Sequence, residues 1–200
     1  MTLEDIVGAG VSRETQQRLK RYCDLLVEEN ARQNLIARST VDDLWGRHIL
    51  DSAQLVPLAK SGAKWVDLGS GPGLPGIVVA ILTEGPMTLV EPRRLRIEFL
   101  SRVVAELGLS HVAVVQAKAQ GATGKFDVIT ARAVAKAAEL FGISRHLAHN
   151  STRYLLMKGR SAQSELEALR ASWQGRFSLV PSRTDPDAAI LVADDVRWKG

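Results

Sequence analysis

A glycine-rich loop after a short apolar segment is the part of this sequence most able to bind a reactive ligand. Residues 65–76 read WVDLGSGPGLPG: the apolar segment ends near Asp67, and glycines follow at alternate positions, Gly69, Gly71 and Gly73. Glycine tolerates positive φ angles and lets a ligand approach the backbone closely. Pro75 favours the start of a helix, whose first N–H groups are available to a ligand. Glu91 ends the next predicted strand, where its carboxylate can accept hydrogen bonds from both hydroxyls of a ribose. These residues predict a site for a cofactor that contains a nucleoside.

Two kinds of cofactor fit such a loop. The spacing Gly71-x-Gly73-x-x-Gly76 satisfies the fingerprint of dinucleotide-binding proteins. Asp67 favours S-adenosylmethionine instead, because a carboxylate there can face an amino or sulfonium group and would repel a pyrophosphate. Two prolines also stiffen the loop, and a predicted terminal hairpin departs from an all-parallel nucleotide-binding sheet. A glycine-rich turn without a ligand is disfavoured because Glu91 supplies a second acid one βα unit later.

Alternating strands and helices position this loop from residue 63 onwards. Strands are predicted at residues 65–68, 87–91, 112–116, 126–130, 152–157, 177–180 and 188–193. Helices are predicted at residues 75–83, 93–108, 134–148 and 161–173. The first five strands are nearly continuous apolar runs, typical of parallel strands covered on both faces, whereas SRTDPD between the last two is too short for a helical crossover. The predicted fold is therefore an α/β, doubly wound (Rossmann-like) sheet of seven strands with a terminal antiparallel hairpin.

The first 60 residues have a different pattern, with apolar residues at helical spacing and no strand signal. Ser12 is a suitable N-cap for a first helix. Ser39 with Asp42 three residues later resembles a capping box that opens a second helix. We therefore predict an N-terminal helical subdomain at residues 1–60 and an α/β domain at residues 61–200.

The composition narrows the class of protein. The 200-residue sequence has no apolar run of the roughly 18 residues that span a bilayer, so no transmembrane helix is predicted. A single cysteine excludes an internal disulfide and fits a reducing cytoplasm, and the histidines lack the spacing of metal ligands. The net charge is +4, but residues 118–160 alone carry +6, with eight Lys or Arg residues against two acids. That stretch is either a solvated basic surface or a face for a polyanion such as nucleic acid.

Four motifs, in order along the chain, carry a resemblance to a known family. They are RHILDS at 47–52, DLGSGPGLPG at 67–76, FDVITARAVA at 126–135 and LMKG at 156–159. In these motifs the sequence resembles the RsmG (GidB) family of bacterial methyltransferases. The resemblance implies a class I S-adenosylmethionine-dependent methyltransferase fold, with residues 61–200 as the methyltransferase domain. It also implies methyl transfer to N7 of guanine 527 in 16S ribosomal RNA, with that RNA or the small ribosomal subunit as partner of a monomeric, cytoplasmic enzyme.

The resemblance also implies roles for individual residues. Gly69 and Leu74 match loop positions that contact the cofactor, and Ala119 and Gln120 match a pair beside its adenine. The family often has Glu at the position of Gln120, whose side-chain carbonyl can still accept a hydrogen bond from the adenine amino group. The full predicted cofactor site consists of Asp67, Gly69, Gly71, Gly73, Leu74, Glu91, Ala119, Gln120 and Arg132.

Arg132 and Lys158 are the expected catalytic residues, acting by positioning the substrate. N7 of guanine has an accessible lone pair and no proton, so methylation there requires positioning and no general base. The sequence has no Asn/Asp-Pro-Pro-aromatic motif for amine methylation, and no cysteine nucleophile for pyrimidine methylation in the ARAVAK segment after the fourth strand. We expect Arg132 and Lys158 to bind phosphate or O6 and orient the base. Arg47 and His48 would line the RNA side of the cleft, although Arg47 could instead pair with Asp51, four residues later on a solvated helix face.

Three other functions are compatible with the sequence. A small-molecule methyltransferase on the same fold predicts turnover without ribosomal RNA and a cleft sealed by apolar side chains. A non-catalytic RNA-binding module that retains the glycine loop predicts no binding of S-adenosylmethionine. A nicotinamide-linked oxidoreductase predicts tight binding of NAD instead.

Overall fold

The computed structural model describes residues 1–8 and 10–199, and a seven-stranded sheet lies at its centre. The strands are β1 (Trp65–Leu68), β2 (Met87–Val90), β3 (Val112–Val115), β4 (Phe126–Arg132), β5 (Ala148–Lys158), β6 (Trp173–Pro181) and β7 (Ala189–Trp198). Their order across the sheet is β3-β2-β1-β4-β5-β7-β6. β1 to β5 are parallel, whereas β7 is antiparallel to both β5 and β6. The predicted α/β sheet of seven strands with a terminal antiparallel hairpin is confirmed.

Helices cover both faces of the sheet. They are α1 (Leu3–Val7), α2 (Arg13–Gln33), α3 (Asp51–Ala53), α4 (Gly76–Thr83), α5 (Arg94–Glu106), α6 (Ala137–Ser144) and α7 (Ala162–Ser172). The N-cap of α2 is Ser12, as predicted, and its hydroxyl accepts a hydrogen bond from the N–H of Thr15. A π-helical turn, Trp45–Leu50, leads directly into α3. Among the described residues, no helix has both the length and the apolar composition needed to cross a membrane.

The segment after β4 differs from its prediction. β4 continues to Arg132, and α6 begins at Ala137 where a helix was predicted from residue 134. Ala133 adopts a left-handed φ of 55°, and Lys136 is extended with ψ of 148°. A helix cannot pass through either conformation, so the apolar residues of this segment form a loop. That loop lies at the carboxyl end of the sheet, where ligands bind in open α/β folds.

The N-terminal helix α2 packs on α4 and α5, on one side of the sheet, and shares the apolar core there. Fully buried residues of α2 belong to one apolar cluster with residues of α4 and α5, including Leu19, Tyr22, Leu26, Ile77 and Leu100. A second cluster lies under α6 and α7 on the opposite face. Residues 1–8 and 10–60 contain no strand. The division into domains at residue 60 stays a prediction, since the apolar packing is continuous across it.

Candidate active site

Two cavities open where β1 and β4 lie side by side at the centre of the sheet. From β1 the chain continues to β2 and β3 on one side, and from β4 it continues to β5 on the other. Ligands of open α/β sheets bind at the carboxyl ends of strands at such a switch point. We call the cavities the glycine-loop cavity, bounded by residues 69–72, and the β5–β7 cavity, bounded by residues 157–159 and 188–190. Arg132, Ala133 and Val134 line both of them.

The glycine-loop cavity has a volume of about 470 Å³, which lies in the range of small-molecule sites. Seven of the nine predicted cofactor residues line it: Gly69, Gly71, Leu74, Glu91, Ala119, Gln120 and Arg132. Asp67 and Gly73, the other two, are outside its lining. The arginines Arg93 and Arg96 also line the cavity and were not predicted. The sequence thus located most of one continuous cavity wall, and the binding of a cofactor by these residues stays a prediction.

Glu91 ties the glycine loop to the end of β2. The carboxylate is buried, with one oxygen accepting the N–H of Gly71 at 3.0 Å and the other accepting the N–H of Arg93 at 2.9 Å. The guanidinium of Arg96 lies 3.7 Å from the first of these oxygens. Each carboxylate oxygen has two acceptor positions, so both can still accept a hydrogen bond from a ribose hydroxyl. Glu91 therefore fixes the loop and keeps acceptors for the expected cofactor.

Asp67 lies inside the loop, away from the cavity. It is fully buried, and one carboxylate oxygen accepts the N–H of Gly76 at 3.1 Å, while the other has no hydrogen-bond partner among the described residues. Burial raises the pKa of Asp67 to about 7. A Cβ on Gly76 would lie 2.4 Å from Leu89 and 2.7 Å from that carboxylate, so this close approach of α4 to β1 requires glycine. Contact between Asp67 and a cofactor cation stays a prediction.

Tyr22 connects helix α2 to the glycine loop. Its side chain is fully buried, and its hydroxyl donates a hydrogen bond to the carbonyl of Pro72 at 2.9 Å. Burial raises the pKa of the phenol well above its usual value, so the hydroxyl keeps its proton. A residue of the N-terminal helices thereby holds the backbone of the loop at a position that lines the cavity.

Replacing Tyr22 by phenylalanine should weaken the binding of S-adenosylmethionine several-fold. The change leaves the carbonyl of Pro72 without its donor and costs about 1–3 kcal/mol of stability. The loop then samples other conformations, and isothermal titration calorimetry would measure the higher Kd. Tyr154→Phe is the matched control, because Tyr154 is an equally buried tyrosine of the opposite core whose hydroxyl contacts Ser144. Equal Kd values for the two variants would show that Tyr22 does not support the loop.

The β5–β7 cavity has a volume of about 450 Å³ and is lined by charged side chains. The two predicted substrate-positioning residues, Arg132 and Lys158, both line it, together with Asp51, Lys136 and Glu165. Apolar residues, among them Val134, Met157 and Ile190, form much of the remaining lining. Because both cations and carboxylates are present, the cavity suits a substrate that both donates and accepts hydrogen bonds.

Arg132 is held in place by His48 from the motif RHILDS. The guanidinium donates to Nδ1 of His48 at 3.2 Å, and Nε2 of His48 lies 2.9 Å from the hydroxyl of Thr40. Burial, reinforced by the charges of Arg132 and Arg47, lowers the pKa of His48 to about 4, so the ring is neutral. Because Nδ1 accepts, Nε2 carries the proton and donates to Thr40, which in turn donates to the carbonyl of Ala37 at 2.8 Å. Each of these three hydrogen bonds thus has one donor and one acceptor.

Arg47 and Asp51 do not form the ion pair that their spacing allowed. Arg47 pairs with Asp185 at 3.2 Å, and Asp51 faces Arg132 at 3.8 Å. Residues 45–50 form a π-helical turn, in which side chains four residues apart no longer lie above one another. The alternative prediction, a solvated ion pair between Arg47 and Asp51, is therefore wrong. His48 is buried and Arg47 is partly exposed, and contact of either with RNA stays a prediction.

Lys158 binds the loop between β4 and α6. Its ammonium donates to the carbonyl of Ala135 and pairs with Glu165, both at 2.8 Å. Glu165 also accepts the N–H of Ala137 at 2.9 Å. These contacts use two of the three N–H donors of Lys158, which leaves one for a substrate. Lys158 therefore fixes the shape of the cavity wall, and its contact with substrate stays a prediction.

Known proteins resemble this chain along most of its length. Residues 15–182 match the model of the family GidB, described as rRNA small subunit methyltransferase G. The chain is 47% identical over 199 residues to "Ribosomal RNA small subunit methyltransferase G" of Zymomonas mobilis, covering 95% of this chain and 90% of that protein. The corresponding protein of Sphingopyxis alaskensis is 50% identical over 184 residues, covering 90% and 79%.

The chain belongs to this family. The resemblance seen in the four sequence motifs is thus confirmed. Among solved structures, the Bacillus subtilis tRNA methyltransferase TrmK superimposes with a TM-score of 0.59 at 19% identity, covering 72% of this chain and 64% of that one. A ribosomal protein L11 methylase from Lactobacillus delbrueckii gives 0.60 at 16% identity, covering 77% and 79%. These likenesses confirm the class I methyltransferase fold.

Replacing His48 should affect turnover in this family member through Arg132. His48→Leu removes the acceptor of Arg132 and should lower kcat about tenfold, the effect of one lost hydrogen bond on a positioned group. His48→Asn keeps an acceptor near the position of Nδ1 and should retain most of the activity. Steady-state kinetics on small ribosomal subunits would measure both, and long-range ¹H–¹⁵N spectra would identify the Nε2–H tautomer. A rise in KM alone, equal in both variants, would instead indicate direct RNA contact.

Sequence reasoning missed the residue that separates the two cavities. Val134 is 42% exposed, and a Cβ on Gly69 would lie 2.6 Å from one of its methyl groups. Val134 thus packs directly over the first glycine of the loop, in the wall common to both cavities. Its position two residues after Arg132, at the end of a central strand, was the available signal. The prediction of a helix from residue 134 assigned Val134 to that helix and not to the wall of the cavities.

Proposed function

We propose that this protein transfers a methyl group from S-adenosylmethionine to N7 of guanine 527 in 16S ribosomal RNA. The cofactor would occupy the glycine-loop cavity and the target base the β5–β7 cavity. The observation that carries the proposal is the common wall of the two cavities, formed by Arg132, Ala133 and Val134. A methyl donor in one cavity and an acceptor base in the other would both lie next to Arg132.

The residues of the glycine-loop cavity fit S-adenosylmethionine. Glu91 offers acceptors to a ribose, and Ala119 and Gln120 line the same cavity, where an adenine would be placed. The absence of a Cβ at Gly71 leaves room for the ligand next to the backbone, whereas Val134 fills the space beside Gly69. When bound, S-adenosylmethionine supplies a methyl group activated by its sulfonium. The chain itself has to bind, orient and shield the two reactants.

N7 chemistry suits the groups in the common wall. The lone pair of N7 needs no proton removed, so the wall requires no general base. Arg132 remains charged and can donate to O6 of the base, which turns N7 toward the glycine-loop cavity. Val134 adds an apolar side chain to the wall beside Arg132. The alkylated base gains a positive charge, which Asp51 in the same cavity stabilises.

Exposed cations near both cavities fit an RNA partner. Arg93 and Lys118 border the glycine-loop cavity, and Lys136 borders the β5–β7 cavity. Lys118 and Lys136 belong to the stretch at residues 118–160 that carries a charge of +6. Phosphates on either side of a target nucleotide would contact these side chains. The substrate proposed is the small-subunit RNA, free or assembled, in the bacterial cytoplasm, with the protein acting as a monomer.

Chemical cleavage of the RNA tests the proposal. Small subunits from a strain lacking this activity would be incubated with the protein and S-adenosylmethionine, and their RNA treated with borohydride and aniline, which cleave at N7-methylguanine. We expect a new cleavage at guanine 527 that requires both protein and cofactor. RNA that stays uncleaved, or methyl transfer to small molecules without RNA, would contradict the proposed function.

A further inference from the structure

Asp51 has one carboxylate oxygen held by the protein and one that faces the β5–β7 cavity. Oδ1 accepts hydrogen bonds from the hydroxyl of Thr184 at 2.7 Å and from the amide of Gln54 at 3.1 Å. Oδ2 accepts no hydrogen bond from the described residues and lies 3.8 Å from the guanidinium of Arg132. The side chain is 18% exposed and lines the cavity. A firmly positioned carboxylate thus presents an unused acceptor to whatever occupies this space.

Asp51 and Arg132 do not form the close, hydrogen-bonded ion pair that would be expected if they served only to stabilise the fold. Nη1 of Arg132 donates to His48, although a small movement would bring the same nitrogen within hydrogen-bonding distance of Asp51. Glu165, the other carboxylate of the cavity, is bonded on both oxygens, by Lys158, by the N–H of Ala137 and by the hydroxyl of Ser161. Asp51 is therefore the carboxylate of this cavity that keeps an oxygen for a ligand.

A guanine offers the complementary set of hydrogen-bonding groups. Its Watson–Crick edge presents O6 as an acceptor beside N1–H and the N2 amine as donors, whereas adenine presents a donor beside an acceptor. A base displaced from its stack is commonly recognised through this edge. N7 lies on the other edge and has to stay unbonded, because it is the reacting atom. An adjacent cation and carboxylate, Arg132 and Asp51, match guanine and mismatch adenine.

We propose that Asp51 is the residue that selects guanine, accepting hydrogen bonds from N1–H and the N2 amine of the target base through Oδ2. Arg132 donates to O6 beside it. This inference rests on the proposed function, because it assumes that a guanine enters the β5–β7 cavity. Thr184 and Gln54 act as positioning residues that fix the carboxylate.

A chemical double-mutant cycle tests this contact. Inosine lacks the N2 amine of guanosine and retains O6, N1–H and N7. Small subunits would be assembled with 16S RNA carrying either guanosine or inosine at the methylated position, prepared by splinted ligation. Transfer of labelled methyl would be measured for the wild type and for Asp51→Asn, which keeps the shape of the side chain. In the wild type, inosine should lower kcat/KM about tenfold, the effect of one charge-assisted hydrogen bond.

Asp51→Asn should be slower than the wild type on guanosine and show nearly equal rates on the two substrates. Any effect of the substitution on Arg132 or on folding is common to both RNAs and cancels in their ratio. Asp187→Asn is the matched control, because Asp187 is an exposed carboxylate outside the cavity, in the turn between β6 and β7 that also holds Thr184. It should show the wild-type ratio.

Two results would overturn the assignment: an equal rate of the wild type on guanosine and inosine, or an unchanged inosine penalty in Asp51→Asn. Failure of the proposed function gives a different result. In that case the wild type would form no N7-methylguanine at the target position on the guanosine substrate.

Discussion

Replacing Arg132 by alanine is expected to lower kcat/KM for methyl transfer to small-subunit RNA by about 100-fold or more, while the protein stays folded. Arg132 lies in the wall common to both cavities and is held by His48. Removing one preorganised donor from a reacting group costs roughly 100- to 1,000-fold in enzymes. Burial lowers the pKa of this guanidinium, but the ordinary pKa of arginine is so high that the side chain keeps its charge. Single-turnover transfer of labelled methyl to small subunits would measure the loss.

Two further variants separate the position of Arg132 from its charge. Arg160→Ala removes a cation two residues after Lys158 that is 87% exposed and outside both cavities, so it should leave transfer nearly unchanged. Arg132→Lys keeps the charge without the planar fork and should recover only part of the rate. Near-normal turnover by Arg132→Ala, with an unchanged melting temperature, would remove this residue from the active site.

Asp67→Asn is expected to change how stability depends on pH. Burial raises the pKa of Asp67 from 3.8 to about 7, so the folded protein holds this proton at pH values where the unfolded chain has lost it. The ligand-free wild type therefore loses stability as pH rises from about 4 to about 7. Asparagine does not titrate, and its side-chain oxygen can still accept the N–H of Gly76. As the pH rises from 5 to 8, the free energy of unfolding of Asp67→Asn should increase relative to that of the wild type by roughly 2–3 kcal/mol.

Urea denaturation at several pH values would measure this shift. Asp127→Asn serves as the control, because its carboxylate is half exposed at the opposite end of the sheet. A constant difference in stability between Asp67→Asn and the wild type from pH 5 to pH 8 would contradict the raised pKa. The same variant should bind S-adenosylmethionine more weakly, and an unchanged Kd would show that Asp67 supports the loop without facing the cofactor.

The sheet and the glycine-loop cavity were predictable because their signals are local. Apolar runs of four to seven residues mark the strands, and the hairpin followed from the short SRTDPD connection. Gly69, Gly71 and Glu91 are brought together by the parallel register of β1 and β2, which any βα unit imposes. Such features depend on neighbours in sequence and on a general rule of sheet topology.

The environment of Arg132 could not be predicted in the same way. The helical spacing of Arg47 and Asp51 suggested one face of an α-helix, and a π-helical turn places them apart. Tyr22 reaches Pro72 across 50 positions, and Thr184 reaches Asp51 across 133. These contacts are set by tertiary packing, and no periodicity in the sequence encodes which polar side chains will meet. Sequence motifs located the candidate site, and the structure supplied the partners that orient it.

The dependence of Asp51 on the hairpin turn also fixes when the site can be completed during synthesis. Thr184 donates to Asp51, and Gln54 bonds to both Ser182 and the N–H of Arg183. A nascent chain that has not yet passed residue 184 lacks these donors, even though the glycine loop was translated more than 100 residues earlier. On the proposed function, the protein therefore cannot modify a ribosome until residue 184 has emerged from the ribosome that makes it.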